Sequence, residues 1–264
     1  MLSARNRSLQ TGSTTTDYAV FGKGNRPLVM LPGLNTRGVK GSALMLSVMY
    51  RMFAKTHRIY VIDRKNHIPA GYTVRDMAHD TAEAMEQLGI TQADVIGISQ
   101  GGMIAQYLAI DHPHLVHKLV LGVTLSRNNP TVETVVGNWI TTVKNGDLRA
   151  FTADMLDKMY SEAYVRKYRP LLPLLTVLNR PQNPERFLRL AEACLTCCAY
   201  AELDKITCPV LVLGGRKDKI VTGEASIEIT DKLGCDLYLY DDLGHAAYEE
   251  ATDFNRRILE FLNK

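Results

Sequence analysis

Several sequence features that would point to particular functions are missing. No run approaches the roughly 18 apolar residues of a membrane-spanning helix. No long basic block appears, and 31 Lys and Arg residues nearly balance 28 Asp and Glu residues, so nucleic-acid binding is not indicated. The sequence also lacks G-x-x-x-x-G-K-[ST] and G-x-G-x-x-G loops, so we expect no nucleotide cofactor.

The cysteines are few, and their odd number, five, favours a reducing compartment over a disulfide framework. Cys194-x-x-Cys197 has no second pair at ligand spacing, so we expect buried structural thiols and no metal site. The first 16 residues are polar and contain no apolar segment typical of a signal peptide. Together these features predict a cytoplasmic protein.

The 264 residues suit one large α/β domain. Short apolar segments alternate with helical patterns, which predicts a mostly parallel central sheet flanked by helices on both faces. The predicted strands are residues 17–22, 28–31, 58–63, 95–98, 118–124, 209–214 and 236–240. The predicted helices between and after them are residues 42–55, 74–88, one from about 103, and 247–262.

Residues 125–200 contain helical patterns only, interrupted by prolines. A helical block between two strands of such a sheet predicts an inserted cap over the carboxyl edge of the sheet, where open α/β sheets place their sites. We therefore divide the chain into a core of residues 17–124 and 201–264, a cap of residues 125–200, and a loose N-terminal tail of residues 1–16.

A serine lies between a predicted strand and a predicted helix in the segment Gly97-Ile-Ser-Gln-Gly101. A turn this tight requires small residues two positions on either side of Ser99, and Gly97 and Gly101 meet that requirement. The following helix directs its unpaired N–H groups toward the serine. The spacing therefore predicts a nucleophile elbow, with the N–H of Gln100 placed to stabilise an oxyanion.

A serine hydroxyl is a weak nucleophile that needs a base, and the base needs an orienting carboxylate. Asp218 and His245 each follow a predicted strand, so both are expected at the same sheet edge as Ser99. Asp242, next to the histidine strand, is an alternative to Asp218. Asp63-Arg64, which also follows a strand, is interpreted as an ion pair that holds loops.

The chain resembles the α/β-hydrolase family from about residue 17 to residue 262. The resemblance rests on Leu31-Pro32-Gly33 after an early strand, the serine elbow, the helical block, the Asp218 loop, and Gly244-His245 before the last helix. The order Ser, Asp, His is that of the family.

This resemblance implies specific roles. Ser99 would be the nucleophile, His245 the general base and acid, and Asp218 its orienting carboxylate. The backbone N–H groups of Gln100 and Leu34 would form the oxyanion hole. In the predicted cap, apolar side chains are candidates for a substrate pocket: Trp139, Met155, Met159 and the run 171–178.

The expected activity is hydrolysis of a small ester, thioester or lactone through an acyl-enzyme, so the expected partner is a small-molecule substrate, with no nucleic acid and no membrane span. Three alternatives stay open: a carbon–carbon bond hydrolase, an acyltransferase, and a non-catalytic ligand-binding protein of the same fold. The sequence does not indicate an oligomeric state.

Overall fold

The computed structural model describes residues 4–171, 173, 174, 177 and 180–264. Its centre is one sheet of eight strands in the order β1-β2-β4-β3-β5-β6-β7-β8. The strands are β1 Arg5–Thr11, β2 Thr14–Phe21, β3 Arg26–Leu31, β4 His57–Lys65, β5 Ala93–Ile98, β6 Val116–Gly122, β7 Val210–Gly215 and β8 Asp236–Tyr240. β1 and β2 pair antiparallel, β2 pairs antiparallel with β4, and all other pairs are parallel.

Helices cover both faces of the sheet, as the apolar strands predict. Among the described residues, the α-helices with defined bounds are α1 Ala43–Met49, α2 Val74–Gln87, α3 Gln100–Asp111, α4 Pro130–Lys144, α5 Leu148–Met159, α6 Glu162–Tyr168, α7 Pro184–Cys194, α8 Gly223–Leu233, α9 Ala247–Glu250 and α10 Phe254–Asn263. Short 3₁₀ helices lie at Phe53–Lys55, Pro113–Leu115, Arg169–Leu171 and Tyr200–Lys205. Helices α2, α3 and α8 pack on one face, and α1 and α10 pack on the other.

The sheet order creates a crevice at its carboxyl edge. The chain leaves β3 toward β4 on one side and returns to β5 on the other side, so the connections diverge between β3 and β5. Leu31 and Gly97, at the ends of these two strands, are register partners. Open α/β sheets bind ligands at such a switch point.

The N-terminal residues differ from the sequence prediction. Within the segment predicted as a loose tail, Arg5–Thr11 forms edge strand β1, which pairs with β2 from Arg5↔Val20 to Thr11↔Thr14. Most of β1 is exposed on both faces, so it shows none of the apolar alternation that identifies a strand. The prediction was wrong for these residues because backbone pairing, which leaves no trace in composition, holds the strand.

Two helix boundaries also differ. Helix α3 begins at Gln100, three residues earlier than predicted, because the Ser99 carbonyl already accepts hydrogen bonds from the N–H groups of Gly102 and Met103. The predicted last helix is divided into α9 and α10. At the break, the Asp253 carboxylate accepts hydrogen bonds from the Tyr240 hydroxyl and from Arg257.

The described helices α4 to α7 lie between β6 and β7, within the segment predicted as the cap, residues 125–200. We call the whole connection between these two strands, residues 123–209, the helical insertion. Across the part of the chain that the structure describes, no helix is both long enough and apolar enough to cross a membrane.

Candidate active site

Ser99 occupies a strained turn between β5 and α3. Its φ is 53°, a value that residues other than glycine rarely adopt. Its N–H donates to the Gly122 carbonyl at 2.8 Å, which fixes the turn against β6. Strain of this kind persists where the surrounding structure enforces it, and it is concentrated at functional sites.

Two glycines make the turn possible. A Cβ at Gly97 would overlap the Gly101 carbonyl, and a Cβ at Gly101 would overlap the carbonyl oxygen of Leu31. The strand, the helix and the end of β3 therefore approach one another closely at this point. The size requirement derived from the sequence has this backbone crowding as its physical cause.

The structure brings Ser99, His245 and Asp218 together. His245 Nε2 lies 2.9 Å from Ser99 Oγ, and His245 Nδ1 lies 2.8 Å from Asp218 Oδ2. An ionised carboxylate only accepts hydrogen bonds, so the proton of a neutral His245 lies on Nδ1. The lone pair of Nε2 then faces the serine hydroxyl, which is the arrangement that proton transfer from Ser99 requires.

The Asp218 carboxylate is fixed on both sides. Its Oδ1 accepts hydrogen bonds from the N–H groups of Ile220 at 2.7 Å and Val221 at 3.0 Å, and its side chain is 1% exposed. Asp242 is 90% exposed and pairs with Lys217 at 2.9 Å. The structure thus places Asp218, and not the alternative Asp242, against the histidine.

Two backbone N–H groups lie beside Ser99 without an acceptor. Gln100 is the first residue of α3, and Leu34 lies in the loop after β3, next to Gly33, whose Cα faces Ser99. Among the described residues neither N–H donates a hydrogen bond. Both N–H groups are therefore free of an acceptor within the described structure.

The loop that carries Leu34 is held from behind by Arg64. The buried Arg64 guanidinium donates to the carbonyls of Pro32 and Gly33, each at 2.7 Å. Burial lowers the pKa of Arg64 to about 10, and the nearby Asp63 carboxylate partly offsets this effect. The sequence indicated the Asp63-Arg64 ion pair, whose closest atoms are 3.9 Å apart, but not this contact with the loop.

Helix α7 of the insertion is attached to the same region. Arg186 donates to the Arg64 carbonyl at 2.8 Å and forms an ion pair with Asp63 at 3.2 Å. Burial raises the pKa of the Asp63 carboxyl, but the two guanidinium groups and the hydrogen bonds from the N–H groups of Arg64 and Val39 together hold the pKa below its ordinary value. The Gln100 side chain donates to the Leu190 carbonyl at 2.6 Å.

A small apolar pocket opens onto Ser99 and His245. Its volume is about 60 Å³. The three residues proposed from the sequence, Trp139, Met155 and Met159, all lie along its wall. Their role in binding stays a prediction, as does the oxyanion role of Leu34 and Gln100.

Several other wall residues carry no signal in the sequence that marks them as pocket positions. These include Thr36, Met103, Val132, Val136, Phe151, Phe187, Ile220 and Tyr248. They come from different elements, and apolar periodicity alone cannot distinguish a core position from a pocket position. Of the predicted run 171–178, residues 172, 175, 176 and 178 lie outside the described residues, and the exposed Leu171 and Leu174 do not line the pocket.

The cysteines form no disulfide. Cys194 lines the pocket, and its burial raises the pKa of the thiol to about 12. Cys197 is also buried, whereas Cys198 is exposed. Within the described ranges no group of three or more His, Cys, Asp or Glu side chains is arranged to hold a metal ion.

The sequence profile of the family described as "alpha/beta hydrolase fold" matches residues 26–252. The chain therefore belongs to the α/β-hydrolase family, and it is a hydrolase of this fold.

Relatives of different activity share this fold. The chain is 26% identical over 231 residues to the 2-hydroxy-6-oxononadienedioate/2-hydroxy-6-oxononatrienedioate hydrolase of Pseudomonas sp., covering 78% of this chain and 77% of that protein. It is 22% identical over 220 residues to 3-oxoadipate enol-lactonase 2 of Acinetobacter baylyi, covering 81% and 80%.

A solved structure with a similar fold is the enol-lactonase from Burkholderia xenovorans LB400. It superposes with a TM-score of 0.85 at 20% identity, covering 98% of this chain and 100% of that chain. At this identity the similarity establishes the fold alone.

Proposed function

We propose that this protein is a serine hydrolase that cleaves a small, largely apolar carboxylic ester, thioester or lactone. The observation that carries the proposal is the hydrogen-bonded series Ser99 Oγ, His245 Nε2, His245 Nδ1 and Asp218 Oδ2, with separations of 2.9 and 2.8 Å. Such a series activates a serine for acyl transfer, whatever the order of its members in the chain.

In the first half-reaction Ser99 Oγ attacks the substrate carbonyl carbon while His245 Nε2 takes the hydroxyl proton. The carbonyl oxygen becomes an oxyanion, and the free N–H groups of Gln100 and Leu34 stabilise it. Asp218 stabilises the imidazolium that forms. His245 then gives its proton to the leaving oxygen or sulfur, which departs and leaves an acyl-enzyme.

In the second half-reaction water attacks the acyl carbon. His245 takes a proton from that water and gives it to Ser99 Oγ as the tetrahedral intermediate collapses, which breaks the ester bond to Ser99 and releases the acid. In a lactone the leaving oxygen stays attached to the acyl group, so ring opening yields a single hydroxy acid. The same residues serve each half because a base that accepts a proton can return it.

The walls of the pocket favour a neutral substrate. No Lys or Arg is among the described residues that line it, whereas a dicarboxylate would need a cationic partner. We therefore place a small ester or lactone ahead of a dioate of the kind named in the Pseudomonas relative. We also propose that the helical insertion is a cap that shapes specificity, because α4, α5 and α7 supply much of the wall.

The test is labelling with a fluorophosphonate probe. Wild type should be labelled, Ser99→Ala should not be, and His245→Ala should be labelled far more slowly. Ser13→Ala, which removes an exposed serine in the β1–β2 turn, is the matched control and should be labelled like wild type. A series of p-nitrophenyl esters run in parallel should show a fall of at least about 10⁴ in kcat for Ser99→Ala.

The outcomes separate the alternatives. No labelling of folded wild type would contradict an activated serine and favour a ligand-binding protein. Labelling without release of acid, but with transfer to an added alcohol or thiol, would identify an acyltransferase. Labelling with turnover of vinylogous diketones but not esters would identify a carbon–carbon bond hydrolase.

A further inference from the structure

A second apolar cavity lies behind the loop that carries Leu34. Its volume is about 170 Å³, larger than the pocket at Ser99. It lies between the sheet face and the helices α1 and α10, and its walls include Val39, Leu46, Tyr50, Ile98 and Ile258. The mechanism proposed above does not use this cavity.

The wall between the cavity and the pocket is thin. Along the loop after β3, Pro32 and Asn35 face the cavity, whereas Gly33, Leu34 and Thr36 face the pocket. On β5 and its turn, Ile98 faces the cavity, and the next residue, Ser99, faces the pocket.

Tyr248 is the one described residue that lines both spaces. It lies on α9, three residues after His245, and its ring packs edge-on against Phe254 with the centroids 6.5 Å apart. The partition therefore consists of the loop after β3, the backbone of Ile98 and Ser99 at the end of β5, and one aromatic side chain. Of these parts, only the Tyr248 side chain can be replaced without changing the backbone that carries the Leu34 and Gln100 N–H groups.

We propose that this cavity is a second substrate chamber for an unbranched apolar chain, and that Tyr248 is the specificity-determining residue that limits its use. The proposal rests on the hydrolase function proposed above. An apolar cavity of about 150 Å³ accepts a six-carbon hydrocarbon such as benzene, so this chamber suits a chain of about six carbons. The chain belongs to either the acyl group or the alcohol of the substrate.

The outer end of the cavity supports this assignment. Met45 lines the cavity and is 59% exposed, so the space reaches the protein surface beside α1. Leu44, Val48 and Met49 on the same helix are exposed as well. A chain that extends beyond the cavity would continue along apolar surface instead of entering water.

The test compares Tyr248→Ala with Tyr248→Phe, which retains the ring and removes only the hydroxyl. Two substrate series are measured, p-nitrophenyl esters from acetate to octanoate and alkyl acetates from ethyl to octyl. We expect Tyr248→Ala to raise the ratio of kcat/KM for a six-carbon chain to that for a two-carbon chain at least about tenfold in one series. Tyr248→Phe should leave the ratio within twofold of wild type, and the responding series identifies which side of the ester enters the chamber.

A second substitution tests whether the chain enters this particular cavity. Leu46→Trp adds bulk to a wall residue, whereas Leu44→Trp, on the same helix but 71% exposed and not on the wall, is its matched control. Combined with Tyr248→Ala, Leu46→Trp should abolish the gain and Leu44→Trp should not. Thermal melting establishes that each variant is folded, and Tyr248→Leu replaces Tyr248→Ala if the latter does not fold.

An unchanged chain-length ratio in folded Tyr248→Ala, or a gain that survives Leu46→Trp, would overturn the proposed chamber. Ester hydrolysis by the wild type would in that case leave the proposed function intact. A binding measurement tests the chamber if the wild type does not hydrolyse esters. In the Ser99→Ala, Tyr248→Ala background, 1-hexanol should raise the melting temperature, and adding Leu46→Trp should remove that rise. Absence of the rise would contradict the chamber whether or not the wild type hydrolyses esters.

Discussion

Replacing Arg64 by methionine should lower kcat, although Arg64 does not contact the proposed substrate pocket. Methionine keeps the length and apolar stem of the side chain but removes the two hydrogen bonds, each 2.7 Å long, to the carbonyls of Pro32 and Gly33. These two hydrogen bonds fix the loop after β3, which carries the Leu34 N–H. We therefore expect Arg64 to act as a positioning residue for one of the two proposed oxyanion donors.

The magnitudes follow from the contacts. A hydrogen bond from a charged group contributes about 1.5–3 kcal/mol. Arg186 still pairs with Asp63 in the variant, so the loss comes mainly from the two hydrogen bonds, and we expect the free energy of unfolding to fall by about 3–6 kcal/mol. Loss of one oxyanion donor costs about 10²–10³ in kcat, so kcat should fall about 10²-fold with little change in KM.

The assay is steady-state hydrolysis of a p-nitrophenyl ester below the melting temperature of the variant, with urea unfolding run in parallel. Arg64→Lys should be intermediate, because an ammonium group cannot donate to two carbonyls with the fixed geometry of a guanidinium. Arg75→Met is the control, since it also removes guanidinium hydrogen bonds, to Asp111 and Glu202, but none to the loop that carries Leu34. A folded Arg64→Met protein with kcat within threefold of wild type would refute the positioning role.

Three further predictions follow from the site. Asp218→Asn keeps an acceptor for the Ile220 and Val221 N–H groups but no longer fixes the His245 tautomer. The value of kcat should therefore fall about 10⁴-fold, with only a small change in melting temperature. The control Asp242→Asn should change neither quantity. Gly101→Ala should abolish folding or fluorophosphonate labelling, because the new methyl group overlaps the Leu31 carbonyl at the end of β3. Gly137 in α4 has open space around its Cα, so Gly137→Ala should raise the free energy of unfolding, measured by urea titration, by about 0.5–1 kcal/mol. The buried Cys194 thiol, with its pKa raised to about 12, stays protonated at pH 8, so mass spectrometry should find it among the last cysteines modified by iodoacetamide, and early modification would contradict its burial.

The parts of this protein that the sequence predicts well are those with local physical signals. The glycines beside Ser99 mark a crowded turn whatever the rest of the chain does. Buried parallel strands are apolar throughout, so β5, β6 and β7 stand out, and the residues that follow them must meet at one edge of the sheet. The juxtaposition of Ser99 with Asp218 follows from these two signals, whereas the strand before His245, β8, is only partly buried and is marked by its alternating leucines and tyrosines.

The parts that could not be predicted depend on pairing or packing between distant residues. Strand β1 has polar side chains on both faces, and only its pairing with β2 makes it a strand. The contact of Arg64 with the loop at Pro32 joins residues 32 positions apart that share no local pattern. The place of Tyr248 between two cavities depends on α1, α9 and the loop after β3 together.

Helix α7 connects the insertion to both proposed oxyanion donors. Its Leu190 carbonyl accepts a hydrogen bond from the side chain of Gln100, and its Arg186 binds the Arg64 carbonyl and Asp63. Moving α7 away from the core would break these contacts and would leave the buried Gln100 amide and the Asp63 carboxylate with fewer partners, which is costly away from water. Helix α7 is therefore expected to stay in place while substrate enters, so the insertion positions the backbone of the site as well as enclosing it.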